Sequence, residues 1–283
     1  MKKWFLTIAV IATVTNVWGQ IHPDGYLTEE TALSNYFFVA PPPELTESSF
    51  FNDFYYYQWG RKEREQLSVS EMALYDEGAE LYEAFGQEKI LEINLTPETT
   101  PEIILLCERA VTDANKANTI VKNTFQRVRP FATFHDASLK PETDDEEAKT
   151  FSYPSGHSTR GLMFALTLCT VAPEFTSEIM ERAQQYAMNR VICGHHWKSD
   201  IDASLLLASV MFANVVCTDE YQAQLKKARA EYKSITCGGT RVEAPTAKAT
   251  SKSAAIYDMQ GRQLNAKPND GIYIQNGEKY VSK

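Results

Sequence analysis

The chain has 283 residues, a formal net charge of −9 and 43% hydrophobic residues. That is enough for one substantial core with an appendage. Acidity of this kind excludes nucleic acid as a general partner, and an anionic substrate would need a local basic pocket. None of the five cysteines lies in a CxxC pair, which argues against zinc, and an odd number leaves at least one thiol unpaired within a monomer.

Residues 1–19 read as a signal peptide. Lys2 and Lys3 form a positive start, Trp4 to Trp18 is mostly apolar, and Val17 and Gly19 suit a cleavage site. An uncleaved anchor is the alternative. Residues 20–68 read as an N-terminal arm, in which Pro41-Pro42-Pro43 blocks regular helix. Its aromatic cluster (Phe54, Tyr55, Tyr56, Tyr57 and Trp59) is expected in core packing rather than substrate stacking.

From 69 to 237 the pattern is helical. Val69 to Phe85 is one candidate helix. A long one starts at Pro101 with Thr100 as cap, carries an apolar stripe through Ile103, Leu106, Cys107, Ala110, Ala114, Ala117 and Val121, and should stop near Arg129. Segments 158–172, 177–193, 200–217 and 219–234 continue the theme, so the fold class is all-α, a helical bundle. Ile201 to Cys217 is about one turn short of a membrane span and carries Asp202 and Asn214, which suits a buried core helix. Cys107, Cys169 and Cys217 lie in such apolar stretches and are expected as buried free thiols, although Cys217 with Cys237 is also a candidate bridge. Residues 238–283 read as a linker, then a β-hairpin of Ile272 to Gln275 and Glu278 to Val281 around Asn276-Gly277, a type I′ turn.

Three polar clusters interrupt the apolar helices. Lys122 and Arg129 are seven residues apart, roughly 10 Å along a helix axis. They can grip one anion only if the break at Pro130 redirects one of them, and a solvated basic helix end is the alternative. Pro154-Ser155-Gly156-His157 precedes an apolar helix. Amides at a helix start can bind a phosphate oxygen beside the Ser155 hydroxyl, with His157 placed to donate a proton, though a serine cap explains the same residues. In the third, Arg190, His196 and Asp200 combine an oxyanion ligand with a histidine whose second nitrogen a carboxylate could orient, and His195 competes for that part.

Together these strings, KNTFQRVRP, PSGH and NRVICGHHWKSD, resemble the type 2 phosphatidic acid phosphatase superfamily and its pattern KxxxxxxRP, PSGH, SRxxxxxHxxxD. The wording SYPSGH and RVICG-HW-SD, with APPPE in the arm, is closer to bacterial class A non-specific acid phosphatases, over roughly residues 35–235. The resemblance implies a bundle of the acid phosphatase / vanadium haloperoxidase type. It implies hydrolysis of small-molecule phosphate monoesters, over a broad range, through a phosphohistidine intermediate. His196 would be the nucleophile, Asp200 its orienting partner and His157 the general acid. Lys122, Arg129, Ser155, Gly156 and Arg190 would hold the phosphate. The family needs no metal and no cofactor and suggests a homodimer. A vanadate-dependent haloperoxidase and a non-catalytic phosphate-binding surface protein are the rival readings.

Asn189 departs from the family's serine, Phe151 from a glycine and Ser158 from a threonine. The acidic segment 132–150 is a candidate lid or a solvated loop. IYDMQGRQL and GIYIQNGEKYVSK resemble the end of sorting segments read by a type IX outer-membrane secretion system. The expected location is the periplasm, or the cell surface if that segment acts as a signal, with no transmembrane domain after leader removal.

Overall fold

The computed structural model describes residues 23–28, 30–31, 38–238 and short stretches between 256 and 282. The leader reading and nearly all of the linker reading fall outside the described residues. The chain divides into two compact units, Met1–Ser234 and Ile235–Lys283.

The described part of the first unit is helical, without strands. Helices α1 (Phe50–Glu63), α2 (Leu67–Gly78), α3 (Leu81–Phe85) and α4 (Glu88–Leu91) lead to α5 (Pro101–Phe125). Two short helices follow, α6 (Pro130–Phe134) and α7 (Asp144–Glu147), and then α8 (Gly156–Val171), α9 (Thr176–Ile192), α10 (Lys198–Val215) and α11 (Asp219–Gly238). Helix α8 is central and packs against α5, α9 and α10. It can be central because it is apolar nearly all round, burying Leu162, Met163, Phe164, Ala165 and Leu168. The facing stripe of α5, Ile103, Leu106, Cys107, Ala110, Ala114, Ala117 and Val121, is fully buried, and its three alanines let the helix axes approach closely.

Several boundaries differ from expectation. The helix expected over Val69 to Phe85 is two, α2 and α3, because Ala79 is extended and Glu80 starts a new helix with its own capping box. Helix α5 ends four residues before Arg129, at Phe125, where Gln126 turns left-handed (φ 50°). Pro130 then opens α6 and holds Arg129 extended. The arm is not merely an arm, since α1 packs on α9 and α10. Within its aromatic cluster Tyr57 is buried against Phe134 and Trp197, whereas Tyr55 is 63% exposed and belongs to no core.

All five cysteines are free, so the Cys217–Cys237 bridge is not formed. Cys107 is buried as expected, but Cys217 is exposed, in the turn between α10 and α11. No single helix among the described residues is long and apolar enough to cross a membrane.

The second unit contains strands β1 (Ile256–Tyr257), β2 (Gln263–Leu264), β3 (Gly271–Gln275) and β4 (Glu278–Ser282), ordered β2-β1-β3-β4. Neighbouring strands are antiparallel, with Tyr273 opposite Tyr280. The expected turn residues, Asn276 and Gly277, lie outside the described residues.

Candidate active site

The third cluster is shaped by a fold-back after α9. Gly194 is left-handed (φ 84°), a conformation that costs glycine least, and the amides of His195 and His196 both donate to the Arg190 carbonyl, at 3.2 and 3.3 Å. His196 is thereby buried at the start of α10. Its Nδ1 lies 3.3 Å from Asp200 Oδ2, and its Nε2 lies 3.2 Å from Arg129 Nη1. A guanidinium only donates, so Nε2 accepts and Nδ1 carries the proton toward Asp200. Burial, then Arg129, Lys122 and Arg190, hold the His196 pKa well below the ordinary histidine value, so the ring is neutral with a fixed lone pair on Nε2.

Asp200 is itself fixed. Oδ2 accepts the Trp197 amide at 2.8 Å, and Oδ1 accepts Arg127 Nη1 at 2.7 Å. Arg127 Nη2 also pairs with Asp53 at 2.7 Å, and Asp53 accepts the amide and hydroxyl of Ser199. Burial pushes the Asp200 carboxyl up, while Arg127 and the Trp197 amide pull it down.

His157 faces the same space from the first turn of α8. Its Nε2 is 2.7 Å from the Asp76 carbonyl oxygen, which can only accept, so Nε2 keeps its hydrogen and Nδ1 is left for proton transfer. The ring stacks on Tyr186, 4.4 Å between centroids with planes 12° apart. Gly161 permits this, since a Cβ there would fall 2.5 Å from the Tyr186 ring. Burial, then Arg190 and Arg160, push the His157 pKa well below the ordinary value.

Between the two histidines lies a cavity of about 340 Å³, lined by residues that include Lys122, Arg129, Gly156, His157, Arg190 and His196. Six of the eight sequence-predicted site residues therefore meet around one space. The extended stretch after α5 lets Arg129 turn back toward Lys122. Lys122 donates to the Phe151 carbonyl at 2.6 Å, and burial, then Arg129, bring its pKa down to about 8. Asp200 and Ser155 stand behind the wall. Asp200 lies 3.3 Å behind His196. Ser155 caps α8, its Oγ accepting the Ser158 amide at 3.2 Å and the Ser158 hydroxyl at 2.9 Å. His195 does not contact Asp200; its Nδ1 accepts Arg190 Nη2 at 2.8 Å. Burial, then Arg190, bring its pKa down to about 4.

The structure adds residues that the motifs do not contain. Glu77 pairs with Arg190 at 2.8 Å, Glu147 pairs with Arg129 at 2.7 Å, and both carboxylates line the cavity. Asp76 is held by Arg182 and by Asn189 Nδ2 at 2.7 Å, so Asn189 helps fix the backbone that holds His157. One signal for the Asp76-Glu77 pair is present in the sequence: two acids close the C-terminal turn of α2, the end where the helix dipole disfavours them. Arg160, one turn beyond His157, also lines the cavity. Among the described residues no group of three or more His, Cys, Asp or Glu could hold a metal ion.

Residues 104–223 match the family model described as PAP2 superfamily, a stretch that contains all three clusters. Over that stretch the chain is similar to the PAP2 superfamily. Among curated proteins the chain is 36% identical over 154 residues to the non-specific acid phosphatase of Providencia stuartii, covering 54% of this chain and 60% of that one. It is 34% identical over 143 residues to the non-specific acid phosphatase of Salmonella typhimurium (50% and 57% covered), and 33% identical over 140 residues to the acid phosphatase of Zymomonas mobilis (49% and 53%). The chain thus spans little more than half the length of the curated relatives it matches. Among solved structures, a transmembrane PAP2 type phosphatidylglycerolphosphate phosphatase from Bacillus subtilis matches at 17% identity over 59% of this chain and 92% of that one, with a TM-score of 0.33, too low to bear on the fold.

Proposed function

We propose that this chain is an acid phosphatase that hydrolyses phosphate monoesters through a phosphohistidine on His196. The observation that carries the reading is the orientation of His196, with Nδ1 on a buried carboxylate and Nε2 turned to Arg129 in a cavity lined by cations.

The phosphoryl group binds Arg129, Arg190 and Lys122, with the first amides of α8 as further donors. It exchanges for contacts already present, because Glu147 and Glu77 hold the two arginines until the substrate arrives. His196 Nε2 attacks phosphorus as the ester P–O bond breaks, and Asp200 stabilises the positive charge that develops on the ring. His157 gives its Nδ1 proton to the leaving oxygen. It then takes a proton from the water that cleaves the P–N bond, which regenerates both histidines and releases phosphate. Fixed cations stabilise the charge on the equatorial oxygens, so the proposal needs no metal ion. The name shared by two of the relatives, non-specific acid phosphatase, supports a broad substrate range. We also propose export to the periplasm, supported by the Lys2-Lys3 and apolar start of the chain, and action as a homodimer.

The test is phosphate release from an aryl phosphate at acid pH in excess EDTA, with alkaline trapping of the labelled intermediate. Turnover in chelator and base-stable, acid-labile label on the protein are expected. Activity lost to chelator and restored by Mg²⁺ or Zn²⁺, or an absence of label, would overturn the mechanism.

A further inference from the structure

The cavity is lined by four cations, Lys122, Arg129, Arg160 and Arg190, and two carboxylates, Glu77 and Glu147, in a chain whose overall charge is −9. Three of the cations have partners: Arg129 on Glu147, Arg190 on Glu77, and Lys122 on the Phe151 carbonyl. Arg160 differs. It is exposed and makes no hydrogen bond or ion pair among the described residues. It stands three residues beyond His157, about 4.5 Å further along α8, and helical side chains lean back toward the N-terminus, here the end whose amides face the phosphoryl group. Across the cavity α5 presents the exposed residues Asn115 and Thr119.

The alkyl leaving group of an ordinary monoester offers this guanidinium no acceptor, and an aryl one offers only a ring face. A second phosphoryl group would offer the planar, multidentate acceptor that arginine recognises best. We propose that Arg160 extends the site to phosphoanhydrides, with the terminal phosphoryl group of a diphosphate among Lys122, Arg129 and Arg190 and the second phosphoryl group on Arg160. This rests on the phosphatase reading of the same cavity. The charge of Arg160 already reaches the site, since it is among the groups that depress the pKa of His157 and of Lys122. The chemistry balances for pyrophosphate. His196 Nε2 bonds to one phosphorus as the bridging P–O bond breaks. The departing orthophosphate keeps that oxygen and takes the His157 proton. Water then cleaves the phosphohistidine, so each pyrophosphate consumes one water and gives two orthophosphates.

The test compares kcat/KM for pyrophosphate with kcat/KM for an aryl phosphate in the unaltered chain and in Arg160→Gln, Arg160→Glu and Arg160→Lys. All change an exposed side chain and should fold, as circular dichroism would verify. The ratio of pyrophosphate to aryl phosphate should fall about tenfold in Arg160→Gln, the scale of one lost charged hydrogen bond. It should fall further in Arg160→Glu and recover in part in Arg160→Lys, with the change mainly in KM. An unchanged ratio, or equal loss on both substrates, would overturn the assignment of Arg160 while leaving the phosphatase intact. An unaltered chain that turns over neither substrate would overturn the phosphatase reading itself, and this inference with it.

Discussion

The two histidines face one cavity from the starts of two different helices, and they are held in opposite ways. His196 is engaged at both ring nitrogens, by Asp200 and by Arg129, and Asp200 is tied through Arg127 to Asp53 on α1. His157 is engaged at one nitrogen, by a backbone carbonyl, and its ring is set by stacking on Tyr186. The contrast matches what the two proposed steps require. A nucleophile needs one tautomer and a fixed lone pair, which side-chain partners on both sides enforce. A residue that gives and retakes a proton needs a nitrogen without a permanent partner, and an orientation that does not change with its charge. A backbone carbonyl and a ring stack provide that.

The largest expected effect breaks the nucleophile side. His196→Ala should reduce turnover by about 10⁴-fold or more, with loss of the phosphoprotein label and retention of the helical circular dichroism spectrum. His195→Ala removes only a support of Arg190 and should cost on the order of tenfold. If His195→Ala abolished the label and His196→Ala did not, the assignment of the two would be reversed.

On the other wall, His157→Ala should cost about 10²–10⁴-fold, and unequally. An aryl phosphate has a leaving group that departs with little protonation, so its single-turnover phosphorylation should suffer less than that of an alkyl phosphate. Equal losses for the two would make His157 a phosphate ligand and not an acid.

A smaller effect separates the walls by their carboxylates. Glu147 occupies the Arg129 donors that phosphate would use, so Glu147→Gln should tighten competitive inhibition by orthophosphate, by roughly two- to fivefold for the loss of one partly exposed ion pair. Unchanged inhibition would mean that Arg129 keeps Glu147 when the site is filled.

What the sequence reveals of this arrangement divides along the same line. Lys122, Arg129, Gly156, His157, Arg190 and His196 could be singled out because three short segments in order together resemble one family pattern; each segment alone also fits a helix end, a cap or a surface pair. The pairs that hold them could not. Asp53 is 146 residues from Ser199, and Asp76 is 106 residues from Arg182. In a helix such as LSVSEMALYDEG an acid bound for a buried partner looks like one bound for water. The acidic run 144–147 reads as solvated loop, yet Glu147 reaches Arg129 and Asp144 accepts the Ser138 amide at 3.0 Å. The helices were predictable where an apolar stripe meets a proline cap, as in α5. They were less so where a single residue such as Gln126 turns left-handed and ends one, because its side chain does not announce that backbone.

The smallest and most diagnostic effect is on pH dependence. Burial and neighbouring cations lower the pKa of both His157 and His196 in the free protein. For His196 this favours the reactive neutral form, so the acid limb of kcat/KM should lie below the ordinary histidine value of about 6.5. For His157 it removes the needed proton as pH rises, so the alkaline limb should also lie below that value, giving an acidic optimum. A bound phosphate dianion offsets Arg190 and Arg160 around His157, which raises its pKa in the complex. The alkaline limb of kcat should therefore lie at higher pH than that of kcat/KM. The same shifts act on stability with a definite sign. Below about pH 6.5 the unfolded chain binds protons on these histidines that the folded chain does not, so stability rises with pH there and is lost as pH falls. The urea midpoint should decline from pH 6.5 toward the acidic optimum, and added orthophosphate should offset part of that decline by binding the folded state alone. If the alkaline limbs of kcat and kcat/KM coincided, bound phosphate would not be coupled to the proton on His157, and the acid would have to be sought elsewhere on the cavity wall.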